Sequence, residues 1–470
     1  MTDEWHDLLH GDRWRSTGTL WVEDGTEYTW EQVDALAATI EERITSAGPV
    51  RVVRVCSPAK LGCFAGQLAA WRTGCVAIAD DGTLGPAELD LVRPELTLAV
   101  TVAPRPTVDE RERAAESLPP QRIPAEVVAV NFTSGSTGSR KAVAVTRGNL
   151  VALFGCRGLD VPVTDRLTAG SFALSAYDGW WFDTWKAVAV GGRVVCLPNV
   201  NEDVFAWPEL VEKYAVDRVL LPAAVVATLV EAMPECLAGI GWIFSGGEQF
   251  RATTYRQARR AGLTNRFVNL YGPTEATFAT HRYDLPETLP SATIPIGRAL
   301  DGCEQTLRDL DEPGTDRPEL VVGGPLVCLG YLRDGTVSRR FTDPEGRPSY
   351  RTGDLVDDQD GDLVYAGRRD SQIKVNGVRV DAAALEHRVT GLAGVLDCRV
   401  VQDERLTVAF VRTADTPGDR DVQVGVESVV RQFSPAIRVH LIERFPTKTG
   451  GKVDTAALIS LHREERDGPK

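Results

Sequence analysis

Short apolar, β-branched runs alternate with segments of helical period along most of this chain. The pattern predicts strands over 19–22, 27–29, 50–55, 75–79 and 96–102, with helices over 30–47 and 59–72 between them. Further on it predicts strands over 127–132, 142–145, 193–197, 218–221 and 241–244, and helices over 146–154, 205–213 and 223–232. A strand-rich stretch then runs from 319 to about 365, and the texture changes after 371. There a helix (382–390), two strands (397–401, 406–411), a helix (424–433) and a strand (438–441) form a compact α+β unit. Strand–helix alternation of this kind argues for a layered α/β fold. The expectation is a large α/β domain over 1–369 with a β-rich subdomain, and a small α+β domain over 370–470. Internal repeats are absent.

Composition narrows the function. The net charge of −14 over 470 residues argues against a general binder of nucleic acid or membrane surfaces. No apolar run approaches the length of a bilayer span. The polar, acidic stretch from Met1 to Trp14 does not read as a signal peptide. Nine scattered cysteines without Cys-x-x-Cys pairs suggest reduced thiols and a cytoplasmic protein. The six histidines show no metal-ligand spacing.

Chemistry enters at Thr133, Ser134, Gly135, Ser136, Thr137, Gly138 and Ser139, followed by Arg140 and Lys141. This hydroxyl- and glycine-rich loop lies between two predicted strands. Glycines let backbone N–H groups turn toward an anion, hydroxyls add donors, and Lys141 adds positive charge. It is not the P-loop of nucleotide hydrolases, because two residues rather than four separate Gly135 from Gly138, and a strand follows. Taken alone, a plain Ser/Gly-rich hairpin turn is the alternative.

The stretch resembles the Thr-Ser-Gly-Ser-Thr-Gly-x-Pro-Lys-Gly signature of the adenylate-forming enzymes: acyl-CoA synthetases, luciferases and the adenylation domains of nonribosomal peptide synthetases. Arg140 replaces the usual Pro, and Ala142 the usual Gly. Five more stretches follow in the family's order. Ser245-Gly246-Gly247-Glu248 resembles the turn beside adenine, which places Gly247 and Glu248 at the nucleotide. Tyr271-Gly272-Pro273-Thr274-Glu275 resembles the family's Tyr-Gly-Pro-Thr-Glu motif. By that resemblance Tyr271 stacks on adenine, Thr274 bonds the α-phosphate, and Glu275 holds Mg²⁺. Read without the family, Thr274 is also a good helix N-cap. Tyr350-Arg351-Thr352-Gly353-Asp354 resembles the ribose motif, with Asp354 as ligand of the hydroxyls. The stretch from Gly367 to Arg379 resembles the hinge, with Arg368 at ribose or phosphate and Asp370 as the pivot. Pro446 to Asp454 resembles the final motif and implies Lys452 as the catalytic lysine, with Lys448 a nearby decoy. The resemblance implies ATP and Mg²⁺ as cofactors.

The acid to be activated is read from 171–192. Counting back from Gly191–Gly192 places Tyr177-Asp178 on the Phe-Asp motif of amino-acid-activating domains, where the Asp binds the substrate ammonium. The competing reading takes Asp183 as the aligned residue, or either Asp as a helix cap. Carrying the pocket across gives Asp178, Gly179, Phe182, Leu220, Ile243, Ser245, Leu270, Phe278 and Ala279, closed by Lys452. That lining is largely apolar and favours an uncharged, apolar side chain, with a branched aliphatic one leading and aromatic, unusual or β-amino acids open. No carrier domain follows Asp454, so the chain reads as a stand-alone adenylation enzyme that loads the phosphopantetheine thiol of a separate carrier protein. Rival readings are a coenzyme A ligase, transfer of the acyl group to a non-thiol acceptor, and a silent binding relative.

Overall fold

The computed structural model describes residues 2–10, 18–103, 105–113, 123–134, 140–200, 202–291, 293–310, 317–369, 372–375, 378–402, 407–414, 420–447 and 453–467. Two large sheets carry the apolar runs. In the nine-stranded sheet, Thr19–Glu23, Arg193–Cys196, Thr168–Ser171, Arg218–Pro222, Trp242–Gly246 and Arg266–Tyr271 lie side by side in that order and run parallel. Antiparallel strands close its edges: Thr26–Thr29 on one side, His281–Asp284 and Arg298–Ala299 on the other. In the eight-stranded sheet, Leu96–Thr101, Val52–Cys56, Val76–Asp80 and Val127–Ser134 form the parallel centre. Parallel strands are covered on both faces, which is why they read as unbroken apolar runs.

The helix Lys60–Arg72 is what covers them. Every residue from Leu61 to Trp71 is buried. One apolar cluster joins it to Val53, Val55 and Ala77 of the eight-stranded sheet, to Leu20 and Trp21 of the nine-stranded one, and to Trp185. A helix apolar all round is one enclosed all round. The β-rich stretch forms a four-stranded antiparallel sheet of Glu304–Arg308, Glu319–Gly323, Ser349–Gln359 and Asp362–Arg368.

The C-terminal part is a small α+β unit. It contains the hairpin Gln372–Val375 and Val378–Asp381, the helices Ala382–Thr390, Arg420–Phe433 and Thr455–Asp467, and a sheet of Val395–Gln402, Thr407–Thr413 and Arg438–Leu441. Its cores, around Leu385, Val411 and Val430 and around Phe410 and Leu458, are separate from the clusters of the larger part. Ion pairs cross between the two parts, Arg251 with Asp397 and Arg412 with Glu231. Asp370, the expected pivot, lies outside the described residues. Among the described residues no helix is long and apolar enough to cross a membrane.

Several elements escape the sequence pattern. The helix expected from 205 begins at Trp207, with a 3-10 turn Val204–Ala206 before it and Pro208 in its first turn, where the missing N–H costs nothing. Thr2–His10, Ala252–Arg260 and Thr455–Asp467 are helices without a broad apolar stripe. Trp181–Trp185 is a π-helix, a rare form that leaves extra backbone to be anchored by side chains.

That anchoring is polar and buried. Trp180 Nε1 and Trp185 Nε1 both donate to Gln67 Oε1, at 2.8 and 2.6 Å. Trp181 Nε1 donates to Asn131 Oδ1 at 2.6 Å. Gln67 sits on the central helix and Asn131 on Val127–Ser134 of the eight-stranded sheet, so helix and sheet together grip the segment that follows Asp178. Gln67→Leu keeps the volume but strands two buried indole N–H groups. The expected cost is about 2–5 kcal/mol, from the usual penalty of an unmet buried donor, measured by urea denaturation against wild type.

At the sheet edge, His281 pairs with Tyr271 and is fully buried. Its Nε2 lies 2.9 Å from Gln305 Oε1 and its Nδ1 2.9 Å from Thr280 Oγ1, an arrangement that suits the neutral ring. Burial pushes its pKa down to about 4 from 6.5. The unfolded chain therefore takes up a proton at this residue between those values and the folded chain does not. The stabilisation is complete above pH 6.5 and is lost as pH falls toward 4. Relative to His281→Gln, the wild type should lose about 3 kcal/mol across that window, read from denaturation midpoints at a series of pH values.

Candidate functional site

Ligand sites in parallel sheets form beyond the carboxyl ends of the strands. Here those ends supply most of the expected residues. Thr168–Ser171 leads into Asp178, Arg218–Pro222 carries Leu220, Trp242–Gly246 ends at Gly247-Glu248, and Arg266–Tyr271 opens the Tyr271–Glu275 loop. Gly272 in that loop has no room for a side chain: a Cβ would stand 2.4 Å from Phe278 O and 2.9 Å from Thr280 N. The chain therefore folds back on itself at Gly272 and brings Thr274 and Glu275 inward.

Thr274 opens a 3-10 turn of three residues, Thr274–Ala276, and does not cap a longer helix. Its hydroxyl instead donates to Asp178 Oδ2 at 2.5 Å. This hydrogen bond joins the expected ammonium ligand to the expected phosphate ligand. Asp183 is elsewhere engaged. It is fully buried, and its Oδ2 accepts from the N–H groups of Phe172 and Ala173 at 2.8 and 2.7 Å, while Thr184 donates to Oδ1. Burial raises its pKa, against the opposing pull of Lys60 and these donors. Asp183 ties down a turn, and Asp178 is the aspartate beside Thr274.

Glu275 is buried and accepts a hydrogen bond from the Tyr331 hydroxyl. Tyr331 lies 3.4 Å from the Tyr350 hydroxyl, and Lys141 Nζ stands 4.9 Å above the Tyr331 ring. Burial first, and the Glu275 carboxylate second, push both phenol pKa values up, so both remain donors. Among the described residues no group of three or more His, Cys, Asp or Glu side chains could hold a metal. One carboxylate with phosphate oxygens is, however, a usual Mg²⁺ donor set, and Glu275 fits it.

At the ribose end, Tyr271 Oη donates to Asp354 Oδ2 at 2.5 Å, and Arg368 Nη1 lies 3.4 Å from Asp354 Oδ1. Burial, with Asp354 beside it, raises the Tyr271 pKa well above its ordinary value. Thr352 fixes the turn by donating to Leu320 O at 2.7 Å and accepting from Asp354 N at 3.0 Å. Thr133 is half-buried at the end of its strand. Ser134 is described only as strand backbone, and Gly135, Ser136, Thr137, Gly138 and Lys452 lie outside the described residues.

Glu248 faces the C-terminal part. It lines a cavity of about 170 Å³ with Arg251, Arg399, Arg412, Thr447 and Val453. Thr447 and Val453 pair with each other across the segment that contains Lys452.

Two expected pocket residues are misplaced. In the parallel register Leu220 stands beside Phe244, and Phe244 beside Val268, while Ile243 pairs with Val219 and Phe267. Neighbours in register share a face, and one step along a strand reverses it. Leu220, Phe244 and Leu270 pack in the cluster with Phe182 and Ala279. Ile243 packs on the opposite face with Val226, Tyr255 and Phe267, and Ser245 follows it there. The residues facing the pocket are therefore Phe244 and Gly246, one step from the expected Ile243 and Ser245. Phe182, by contrast, stacks on Phe278 with centroids 5.3 Å apart, and Gly179 lies against Leu220 as expected. The sequence alone gives Tyr331, Gln67 and Asn131 no role, because their partners are far away in sequence and no local motif assigns one; Tyr350 enters only as the first residue of the ribose motif.

Known proteins bear on this arrangement. The model of a family described as AMP-binding enzyme matches residues 12–332. Malpibaldin synthetase of Mortierella alpina is 31% identical over 356 residues, which cover 72% of this chain and 6% of that one. The L-allo-isoleucine:holo-[CmaA peptidyl-carrier protein] ligase of Pseudomonas savastanoi pv. glycinea is 30% identical over 71% of this chain and 58% of its own length. This chain thus spans only part of these curated relatives. Among solved structures, Klebsiella oxytoca NpsA in complex with 3-hydroxyanthranilyl-AMSN superposes with a TM-score of 0.78 at 18% identity, covering 98% of this chain and 99% of that one. That likeness is one of fold. With the family model covering more than half of its length, the chain belongs to the AMP-binding enzymes, the adenylate-forming family.

Proposed function

We propose that the protein activates the carboxylate of an amino acid as an aminoacyl-adenylate and passes it to the phosphopantetheine thiol of a carrier protein. The hydrogen bond from Thr274 to Asp178 carries this reading. It sets an anionic side chain next to the phosphate-site threonine, where a substrate's ammonium would offset the half-buried charge. The relative from Pseudomonas savastanoi, and the L-proline--[L-prolyl-carrier protein] ligase of Streptomyces coelicolor at 28% identity, are by name ligases that join amino acids to carrier proteins.

The first step joins two anions. A carboxylate oxygen forms a bond to the α-phosphorus of ATP as the bond to the β-phosphate oxygen breaks, and pyrophosphate leaves. Asp178 orients the amino acid through its ammonium. Thr274, once its hydroxyl turns to the phosphate, and Lys141 with the 133–138 loop hold the nucleotide phosphates. Tyr271, Asp354 and Arg368 position adenine and ribose, beside Gly247 and Glu248. Mg²⁺ at Glu275 supplies charge neutralisation for the phosphates. Lys452 supplies a cation to the developing charge on the reacting oxygens. In the second step the carrier thiolate bonds to the acyl carbon, the carbon–oxygen bond to phosphate breaks, and AMP leaves. A swing of the C-terminal part about Asp370 exchanges Lys452 for the thiol.

Exchange of labelled pyrophosphate into ATP, run across a panel of amino acids, tests the first step; activity with an amino acid is the expected result. Lys452→Ala should lower that exchange at least ~100-fold, the scale of losing one transition-state donor. The same variant should transfer preformed adenylate to a carrier thiol at near the wild-type rate. Equal loss of both steps would contradict the division of labour.

A further inference from the structure

The corrected register determines how deep the side-chain pocket is. Phe182 lies on the π-helix and Phe244 on a parallel strand, and their rings meet edge to face with centroids 5.0 Å apart. Phe278 stacks on Phe182 at 5.3 Å and 14°. The Arg218 guanidinium lies 4.1 Å from the Phe182 ring centre, and its Nη2 donates to Phe182 O at 2.9 Å. Phe182 is thus held by its ring and by its backbone, and it cannot swing aside cheaply.

These rings leave no space beneath the mouth of the site. Phe182 and Phe244 are 0% exposed, Ala279 1% and Leu270 4%. Not even a water molecule fits against the two rings. At the mouth, a Cβ on Gly179 would stand 3.0 Å from Leu220 Cδ2 and 3.2 Å from Ala173 Cβ, so Leu220 already reaches up to the backbone beside Asp178. The half-buried surface that remains here belongs to Asp178 and Phe278, and Gly179 between Asp178 and the indoles is itself buried. An amino acid held by its ammonium at Asp178 would bring its side chain onto packed aromatic carbon within one or two bonds. Well-packed interiors admit extra methylenes only at the cost of displaced side chains.

We propose that the site takes a small amino acid, of the size of glycine or alanine, and that Phe244 is the residue that sets this limit. The proposal rests on the amino-acid reading of Asp178 and replaces the branched aliphatic side chain expected from the apolar lining alone. Phe244 is the sharper determinant of the two buried rings, since it stands on a strand paired on both sides and its cation contact, with Arg282 at 5.7 Å, is longer than that of Phe182 with Arg218.

The test is pyrophosphate exchange by the wild-type chain with glycine, L-alanine, L-leucine and L-phenylalanine, which needs no variant to fold. Glycine or alanine should exceed leucine in kcat/KM at least about 100-fold, the discrimination that a filled pocket supports. Phe244→Ala, and the milder Phe244→Leu, should raise exchange with leucine at least about 10-fold relative to wild type. A wild type that prefers leucine or phenylalanine overturns the size limit and leaves amino-acid activation standing. Exchange with simple carboxylic acids and with no amino acid overturns both.

Discussion

The in-register parallel pairing of Arg218–Pro222, Trp242–Gly246 and Arg266–Tyr271 is the constraint on which the rest of the molecule depends. It decides two things together. Along the strands, it sends Leu220, Phe244 and Leu270 to one face and Ile243 and Phe267 to the other. At their carboxyl ends, it delivers the Gly247-Glu248 turn and the Tyr271–Glu275 loop to the same edge. The hydrogen bond between Thr274 and Asp178 follows from that delivery.

A second constraint keeps the facing segment in place. Residues 172–185 carry Asp178, Gly179 and Phe182 outside any sheet, with Phe182 on a short π-helix, a rare form. The hold comes from three indoles anchored on Gln67 and Asn131, and from Asp183 tied to the N–H groups of Phe172 and Ala173. Asn131 belongs to the strand Val127–Ser134. That strand and the segment that carries Asp178 are therefore linked through buried polar groups, which are costly to leave unmet.

Much of the large-scale fold was legible, because parallel strands and their covering helices leave long apolar runs. The helix Trp30–Ser46, with Thr29 as its cap and Gln32 completing the capping box, starts where the pattern places it. The motifs that hold Tyr271, Glu275, Asp354 and Arg368 were legible, and the structure brings Tyr271, Asp354 and Arg368 together. Facing was not legible. In a short run such as 242–244 every residue is apolar, so alternation carries no signal, and Ile243 was read for Phe244. The N-cap reading of Thr274 failed for a different reason: Asp178, distant in sequence, competes for its hydroxyl. Long-range polar partners such as Gln67 with Trp185, or Tyr331 with Glu275, have no local signature at all.

The central claim is that Asp178 makes this adenylate-forming site one for amino acids. The most direct measurement compares kcat/KM for pyrophosphate exchange with the preferred amino acid and with its counterpart lacking the α-amino group, in wild type and in Asp178→Asn. The account predicts that wild type favours the amino acid by at least about 100-fold and that the variant loses most of that preference while still binding ATP. Equal use of the two acids by wild type would contradict it.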